Sequence, residues 1–164
     1  MNDSLDLGLK EKVAIIAGAG AKGDGIGNGR AAAILLAEAG AKVVVADKDQ
    51  ELAERTVQMI SERKGHAVSV AADLTKANDC DEGVEYALNH YGRLDVLDNN
   101  IGIASNVSVV EESEEYWDRV MEINLKPMFL MSKYAIPAMI SSGDGGSIVN
   151  ISSISATRPK GLTA

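Results

Sequence analysis

Short runs of aliphatic and β-branched residues alternate along this chain with longer stretches of helical composition, and the alternation limits the folds that it can adopt. The runs are apolar almost throughout, as strands buried on both faces of a sheet are. They are VAIIA (13–17), KVVVAD (42–47), HAVSVAAD (66–73), LDVLDNNIG (94–102), which runs into a turn, and SIVNIS (147–152). The helical stretches cover 30–40, 50–65, 77–92 and 113–141, the last as one long or one broken helix. This order predicts an α/β fold, a doubly wound parallel sheet of five strands with helices on both faces.

Length, charge and cysteine content limit the domain organisation and the partners. The 164 residues predict a single domain over 1–164. The net charge of −8 argues against nucleic acid or an anionic membrane as a partner, and no apolar run approaches the roughly 20 residues of a membrane-spanning helix. We expect a cytoplasmic protein, because the N-terminus shows no apolar signal segment and the single cysteine, Cys80, cannot form an internal disulfide. The sequence predicts no metal site.

Six glycines lie between the first predicted strand and the first predicted helix, in AGAGAKGDGIGNGRAAA (17–33). A glycine-rich turn at this place in a parallel sheet lets the backbone approach a pyrophosphate, and the N–H groups of the helix N-terminus then point towards it. The turn therefore predicts a Rossmann-like, dinucleotide-binding domain.

Two assignments of these glycines are open. Gly18-x-Gly20-x-x-Gly23 fits the general dinucleotide fingerprint. In the other assignment the helix opens at Gly25-Ile26-Gly27 or at Gly27-Asn28-Gly29. The alanine-rich body of the helix begins only at Arg30, so we expect the turn to stay open until residues 25–29. We favour the later glycines as the helix start, with Gly18 ending the strand.

Asp47 follows the second predicted strand, 20 residues after Gly27. A carboxylate at this place can accept hydrogen bonds from both hydroxyls of an adenosine ribose, and it repels a 2′-phosphate. The sequence therefore predicts NAD as the cofactor, with NADP less favoured, although the neighbouring Lys48 would tolerate the phosphate. In an alternative role Asp47 caps the helix at 50–64, for which Asp49 is better placed.

The glycine turn and the motifs below resemble the N-terminal portion of a short-chain dehydrogenase/reductase, over residues 10–164. That family carries T-G-x-x-x-G-x-G after its first strand. Here Ala17 replaces the threonine, and the turn is three residues longer if Gly25 and Gly27 form the final pair, or five longer if Gly27 and Gly29 do. The segment AKGD (21–24) is then an insertion. The resemblance implies cofactor contacts in the turn from Gly18, Gly20, Gly25, Ile26 and Gly27.

Two further motifs match the family at the ends of later strands. Asp73-Leu74 matches an acidic and an apolar residue that contact adenine in the family; alternatively, Asp73 is an N-cap for the next helix. Asn99-Asn100-Ile101-Gly102 matches the family's N-N-A-G, which implies that Asn100 and Gly102 lie against the cofactor ribose. Asp98 stands where the family usually has an apolar residue, and in a buried strand it needs a partner.

The resemblance also implies two catalytic residues. Asn124, in EEYWDRVMEINLKPMF (114–129), matches the asparagine that bends the family's fourth helix and holds a water near the catalytic lysine. Pro127 then lies in the first turn of the restarted helix. In GSIVNISSISA (146–156), Ser153 matches the second serine of a pair, which hydrogen-bonds the substrate carbonyl in the family.

The family's mechanism also uses a tyrosine as general acid and base, with a lysine in Tyr-x-x-x-Lys that lowers the pKa of the phenol. In the family this motif follows the serine strand at a distance that places it beyond Ala164 here. We therefore expect a chain truncated before the motif, without the family's C-terminal strands, helices and substrate segments, and inactive alone.

The function implied by the resemblance is that of an oxidoreductase, which transfers hydride between NAD(H) and a small alcohol or carbonyl substrate. The alternative is a catalytically dead NAD-binding protein with a regulatory or scaffolding role. Family members are usually homo-oligomers. In the family the helix at 113–141 and the neighbouring helix that is missing here usually form the main subunit interface, so truncation makes that assembly doubtful for this chain. We also expect truncation to expose part of the apolar face of residues 113–141 and to leave SIVNIS as an unpaired sheet edge, which favours aggregation.

Overall fold

The computed structural model describes residues 7–143 and 145–158, and in these residues five strands alternate with five α-helices. The strands are β1 (Val13–Ala17), β2 (Lys42–Asp47), β3 (His66–Ala71), β4 (Val96–Asn99) and β5 (Ser147–Asn150). The helices are α1 (Asn28–Glu38), α2 (Gln50–Glu62), α3 (Ala77–Tyr91), α4 (Glu114–Asn124) and α5 (Lys126–Ser141). A short 3₁₀ helix, Ile154–Ala156, follows β5.

The five strands form one parallel sheet in the order β3-β2-β1-β4-β5. The chain adds β2 and β3 on one side of β1 and then crosses to the other side for β4 and β5. The predicted doubly wound parallel sheet is therefore confirmed. The strand order reverses between β1 and β4, and open α/β sheets bind their ligands outside the carboxyl ends of the strands at this switch point.

Helices cover both faces of the sheet, as predicted, and the central strands β1, β2 and β4 are the buried ones. β1 is completely buried, and its successive side chains point to opposite faces. Val13, Ile15 and Ala17 pack in a cluster with α3 and α5, whereas Ala14 and Ile16 pack with α1 and α2. This two-sided burial is the reason why the strands are apolar almost throughout.

The predicted helix over 113–141 is broken, one of the two alternatives. α4 ends at Asn124, and α5 carries Pro127 in its first turn, where a residue without an N–H is tolerated. The Asn124 side chain makes two hydrogen bonds to the backbone of Ile103. Its Nδ2 donates to the carbonyl (2.9 Å), and its Oδ1 accepts from the N–H (2.8 Å). Asn124 thus ties the break to the loop after β4.

Two strands end earlier than predicted. β3 stops at Ala71 rather than at residue 73, because the Asp73 N–H donates to the Asp79 carboxylate (2.8 Å) and not to a neighbouring strand. β5 covers 147–150 instead of 147–152. β4 covers 96–99, within the segment 94–102 that was predicted to run from a strand into a turn. The motif residues after these strands therefore lie in loops at the carboxyl edge of the sheet.

The outer surface of α4 and α5 carries apolar side chains at intervals of four residues. Trp117, Met121, Leu125 and Phe129 are 41–64% exposed. Within the described residues β5 pairs only with β4, and Val149 is also exposed. The expected exposure of an apolar helix face and of a sheet edge is thus confirmed. No helix in the described part of the chain has the length and apolar character to cross a membrane.

Asp95 lies at the amino end of β4, the edge of the sheet opposite to the switch-point end. Its buried carboxylate accepts hydrogen bonds from the Val13 N–H (2.9 Å), the Arg93 guanidinium (2.5 and 2.8 Å) and Lys12 Nζ (3.1 Å). Burial raises the pKa of Asp95, but the donors, Arg93 first among them, outweigh it and lower the pKa to about 2. Asp95 therefore contributes to stability as an anion.

We expect Asp95→Asn to lower the free energy of unfolding by about 2 kcal/mol at pH 7, the equivalent of the pKa shift from 3.8 to about 2. Because the folded-state pKa is lowered, the contribution is complete above about pH 4 and is lost as the pH falls towards 2. Urea unfolding of both proteins across this range measures it, and the two stabilities should converge in acid. A difference that stays constant with pH would contradict this account. Glu11→Gln, which removes an exposed ion pair with Lys42 (2.7 Å), is the control and should have a much smaller effect.

Candidate cofactor-binding site

A cleft of about 830 Å³ opens at the carboxyl ends of β1, β2 and β4, where the strand order reverses. This volume lies within the range of small-molecule sites, about 300–1,000 Å³. Its walls come from the turn after β1, from the residues after β2, β3 and β4, and from one side of α4. Eight of the predicted cofactor-binding residues line it, namely Gly18, Gly20, Gly27, Asp47, Asp73, Leu74, Asn100 and Gly102.

The other two predicted residues of the turn, Gly25 and Ile26, are not part of the cleft wall. Ile26 is 57% exposed, and the Gly25 carbonyl accepts a hydrogen bond from the Arg30 guanidinium (2.7 Å). α1 begins at Asn28 with Gly27 as its N-cap, so the turn stays open as far as expected. Gly29 lines the cleft although our site prediction omitted it. The geometry favours Gly27 and Gly29 as the final pair, the alternative with the longer turn.

Gly29 is the point where α1 touches the end of β1. A Cβ atom at Gly29 would collide with the carbonyl oxygen of Gly18 and would lie 2.5 Å from Asn100 Nδ2. Gly18 has a φ of +80°, in the region that residues other than glycine rarely adopt. Glycine at both positions lets the helix approach the strand this closely, which is the role of the last glycine in a dinucleotide-binding turn.

The N-terminus of α1 faces the cleft with hydrogen-bond donors that no side chain uses. Gly27, the N-cap, has no side chain to accept from the first-turn amides, and the first turn contains no acidic residue. Asn28 and Gly29, the first two residues of the helix, line the cleft. Unused amides and the positive end of the helix dipole together favour an anion such as a phosphate.

Asp47, at the end of β2, presents a carboxylate that is held on both oxygens. Its Oδ2 accepts from the Gly20 N–H (2.8 Å), and its Oδ1 accepts from the Asp49 N–H (3.1 Å). A Cβ atom at Gly20 would lie only 2.7 Å from Oδ2, so this approach requires glycine. Asp49 is the N-cap of α2 and accepts from the Leu52 N–H (3.1 Å). The capping alternative for Asp47 is therefore excluded.

Asp73 and Leu74 form the wall of the cleft after β3. The Asp73 carboxylate accepts from the hydroxyl (2.7 Å) and the N–H (3.2 Å) of Thr75, and it pairs with Lys76 Nζ (3.2 Å). The hydrogen bond from the Thr75 hydroxyl is the main cause of the lowered pKa of Asp73. Lys76 is the N-cap residue of α3, so the alternative in which Asp73 caps that helix is wrong.

The residues after β4 join the glycine turn to α4. Asn100 Nδ2 donates a long hydrogen bond to the Gly18 carbonyl (3.5 Å). A Cβ atom at Gly102 would lie 3.7 Å from Asn124 Oδ1, in ordinary contact. Ile101 lines the cleft between them and packs against Gly18. Asn100, Ile101 and Gly102 therefore form a wall of the cleft, as the resemblance implies for Asn100 and Gly102. Asn99 is buried in β4 and donates to Asn150 Oδ1 (2.8 Å).

A family model described as short chain dehydrogenase matches residues 12–164 of this chain. The chain belongs to the short-chain dehydrogenase/reductase family. The identification agrees with the resemblance found in the glycine turn and in the motifs after the later strands.

Individual relatives support the same assignment. An uncharacterized oxidoreductase of Thermotoga maritima is 40% identical over 147 residues, and the cyclohexanol dehydrogenase of an Acinetobacter species is 39% identical over 147 residues. The alignments cover 90% and 89% of this chain, but 55% and 56% of the relatives. A solved structure of a 7α-hydroxysteroid dehydrogenase, complexed with NADH and 7-oxoglycochenodeoxycholic acid, matches with a TM-score of 0.84 and 32% identity. It covers 94% of this chain and 58% of the other. The chain thus spans little more than half the length of these relatives.

The two residues predicted to be catalytic in this member of the family, Asn124 and Ser153, lie outside the cleft wall. Asn124 holds the loop after β4, as described above. Ser153 is exposed, and its hydroxyl accepts from the Ser155 N–H (3.2 Å) at the start of the 3₁₀ helix. It follows β5 on the same edge of the parallel sheet as the cleft. Any Tyr-x-x-x-Lys at the family's spacing falls outside the described residues, so both catalytic roles stay predictions.

Asp98, the unusual acidic residue of β4, lies beside Ile16 and Val149 in the sheet. It is buried, and its Oδ1 has no hydrogen-bond partner among residues 7–143 and 145–158. Burial raises the pKa of Asp98. The partner that the sequence analysis requires is therefore not found among the described residues.

Proposed function

We propose that the cleft binds NAD, with the pyrophosphate at the N-terminus of α1 and the adenosine ribose at Asp47. The observation that carries the proposal is the pairing, in one cleft, of unused helix amides with a fixed carboxylate. The amides suit the two phosphates. The carboxylate suits the ribose hydroxyls.

The preference for NAD over NADP rests on the charge and on the fixed position of Asp47. Its oxygens accept from the backbone amides of Gly20 and Asp49, so the carboxylate cannot turn away to make room for a 2′-phosphate. Lys48 also lines the cleft and offsets part of this charge. The solved relative with bound NADH supports the same preference.

The other wall residues have roles that follow from their places. Leu74 is a mostly buried residue of the wall after β3 and presents an apolar surface to the adenine. Asn100 and Gly102, after β4, lie against the other ribose of the cofactor, the one that carries the nicotinamide. No side chain at Gly18, Gly20 and Gly27 separates the backbone of the turn from the phosphates, so the backbone can contact them. In this proposal residues 1–164 form a single dinucleotide-binding domain, and the buried Cys80 thiol is compatible with a reducing, cytoplasmic compartment.

The reaction that fits this site is hydride transfer between NAD(H) and a small alcohol or carbonyl compound. NAD supplies the hydride acceptor or donor. The Ser153 hydroxyl would donate a hydrogen bond to the substrate oxygen, and Asn124 would hold a water for proton transfer. The name of the Acinetobacter relative, a cyclohexanol dehydrogenase, supports an alcohol of this kind.

We expect Ser153→Ala to lower kcat by about 100-fold, since removing one hydrogen-bond donor to a reacting oxygen typically costs that much. NADH affinity should not change. The assay uses the protein as its gene encodes it and follows NADH absorbance with secondary alcohols and ketones, cyclohexanol among them. Ser152→Ala, at the exposed neighbouring hydroxyl, is the matched control and should keep the activity of the parent protein.

Two results would separate the parts of this proposal. Equal loss of activity in both serine variants, or in neither, would contradict the role of Ser153. NADH binding without turnover of any alcohol or ketone would contradict hydride transfer and favour the alternative, a catalytically dead NAD-binding protein.

A further inference from the structure

Arg30, in the first turn of α1, is the largest of the fully buried side chains in the described part of the chain. Its guanidinium lies beneath the glycine turn. Three backbone carbonyls of the turn accept from it, those of Ala21 (2.8 Å), Gly23 (2.8 Å) and Gly25 (2.7 Å). A fourth, longer hydrogen bond goes to the Leu52 carbonyl of α2 (3.5 Å). A buried arginine is ordinarily paired with a carboxylate. Here backbone carbonyls take that place.

Two of these three carbonyls, those of Ala21 and Gly23, belong to the insertion (21–24), and that of Gly25 directly follows it. The three come from alternate residues, 21, 23 and 25, and they converge on one guanidinium that is not part of the cleft wall. A segment rich in glycine has many conformations available. The hydrogen bonds of the Arg30 guanidinium favour a conformation of the turn in which these carbonyl oxygens point to the buried cation and not to the cleft.

Arg30 is itself fixed by a second buried side chain. Its Nε donates to the Thr56 hydroxyl (2.9 Å), which in turn donates to the Ala19 carbonyl (2.8 Å). Both Thr56 and Ala19 are fully buried. One network therefore connects α2, the end of β1 and the inserted turn.

The insertion's own acid does not form a hydrogen bond with this cation. Asp24 pairs with Arg55 on the surface of α2 (2.8 Å). The positive charge of Arg30 is therefore buried among backbone carbonyls, in a medium of low dielectric.

We propose that Arg30 is a positioning residue for the dinucleotide pyrophosphate. It holds the carbonyls of the inserted turn away from the cleft, so that the first-turn amides of α1, and no carbonyl oxygen of the turn, face the phosphates. The inference rests on the proposed NAD binding. The wall that would hold the adenine, at Asp73 and Leu74, makes no hydrogen bond with Arg30. The ribose-binding Asp47 is held by the Asp49 N–H (3.1 Å) as well as by Gly20 in the turn. We therefore expect the effect of Arg30 to fall on the phosphates.

The test is a dissection of the ligand with Arg30→Lys, which keeps the charge but cannot bridge three carbonyls. Calorimetric titrations with NADH, ADP and adenosine are compared. We expect the affinity for NADH and for ADP to fall about tenfold, the equivalent of one or two lost hydrogen bonds, and the affinity for adenosine to stay constant. Arg55→Lys is the matched control. It alters the exposed pair with Asp24 and should leave all three affinities unchanged.

Thr56→Val is the second variant, because it removes the hydroxyl that orients Arg30 and keeps the volume of the side chain. We expect the affinity of Thr56→Val for ADP to fall about threefold and its affinity for adenosine to stay constant. Unchanged ADP affinity in both variants, or a parallel loss for adenosine, would overturn the inference. Failure of the parent protein to bind NADH would instead overturn the proposed function.

Discussion

Replacing Gly29 by alanine should destabilise the protein and abolish NADH binding, the largest effect that we expect from any single methyl group in this chain. The added Cβ atom would collide with the Gly18 carbonyl oxygen, a backbone atom that cannot rotate away. α1 must then move off β1, and its first-turn amides move with it. Overpacking of this kind typically costs about 1–3 kcal/mol, and we expect the upper half of that range. Urea unfolding and NADH titration measure the two effects.

Two other glycines serve as controls for this prediction. At Gly27 a Cβ atom would meet the Ala21 Cβ at 3.6 Å, an ordinary contact, so Gly27→Ala should lower the free energy of unfolding much less than Gly29→Ala. At Gly83, within α3, nothing lies within 4 Å, and the helix propensity of alanine should stabilise the protein by up to about 1 kcal/mol. A Gly29→Ala protein with parental stability and NADH affinity would contradict the close approach of α1 to β1.

Replacing Asp47 by serine should change the cofactor preference. The variant loses both ribose-accepting oxygens, so we expect NADH affinity to fall by at least about tenfold, the typical cost of losing a charged hydrogen bond. NADPH affinity should stay constant or rise, because the repulsion of the 2′-phosphate is lost and Lys48 remains in the wall. Parallel titrations with the two reduced dinucleotides measure the ratio.

Asp24→Ser is the matched control, since it also removes one carboxylate from this end of the sheet. Asp24 is exposed and pairs with Arg55, outside the cleft wall. It should therefore leave the NADH-to-NADPH ratio unchanged. An equal shift in both variants would mean that net charge, and not the place of Asp47, determines the preference.

The fold was predictable because each strand carries its own signal. Runs such as VAIIA are apolar at every position, and only a strand covered on both faces needs that. The wall at Asp47 could also be predicted, because the carboxyl ends of parallel strands meet at one edge. The residue at which α1 begins was harder to predict. Gly25, Gly27 and Gly29 repeat at a spacing of two, and the start of the helix depends on which of them touches β1.

The role of Arg30 could not be predicted from the sequence. An arginine at the start of an alanine-rich helix has the pattern of a surface residue, and its burial depends on carbonyls in a turn whose path is not encoded in any periodicity. Asp98 shows the opposite situation. Its place in an apolar strand indicated a buried acid, but no partner for its Oδ1 lies among the described residues.

The central claim, that the cleft binds NAD, is tested most directly by calorimetric titration of the protein, as its gene encodes it, with NADH and with NADPH. We predict saturable binding of NADH at one site per chain, competed by ADP, with weaker binding of NADPH. The absence of saturable NADH binding would contradict the claim, and tighter binding of NADPH would contradict the role given to Asp47.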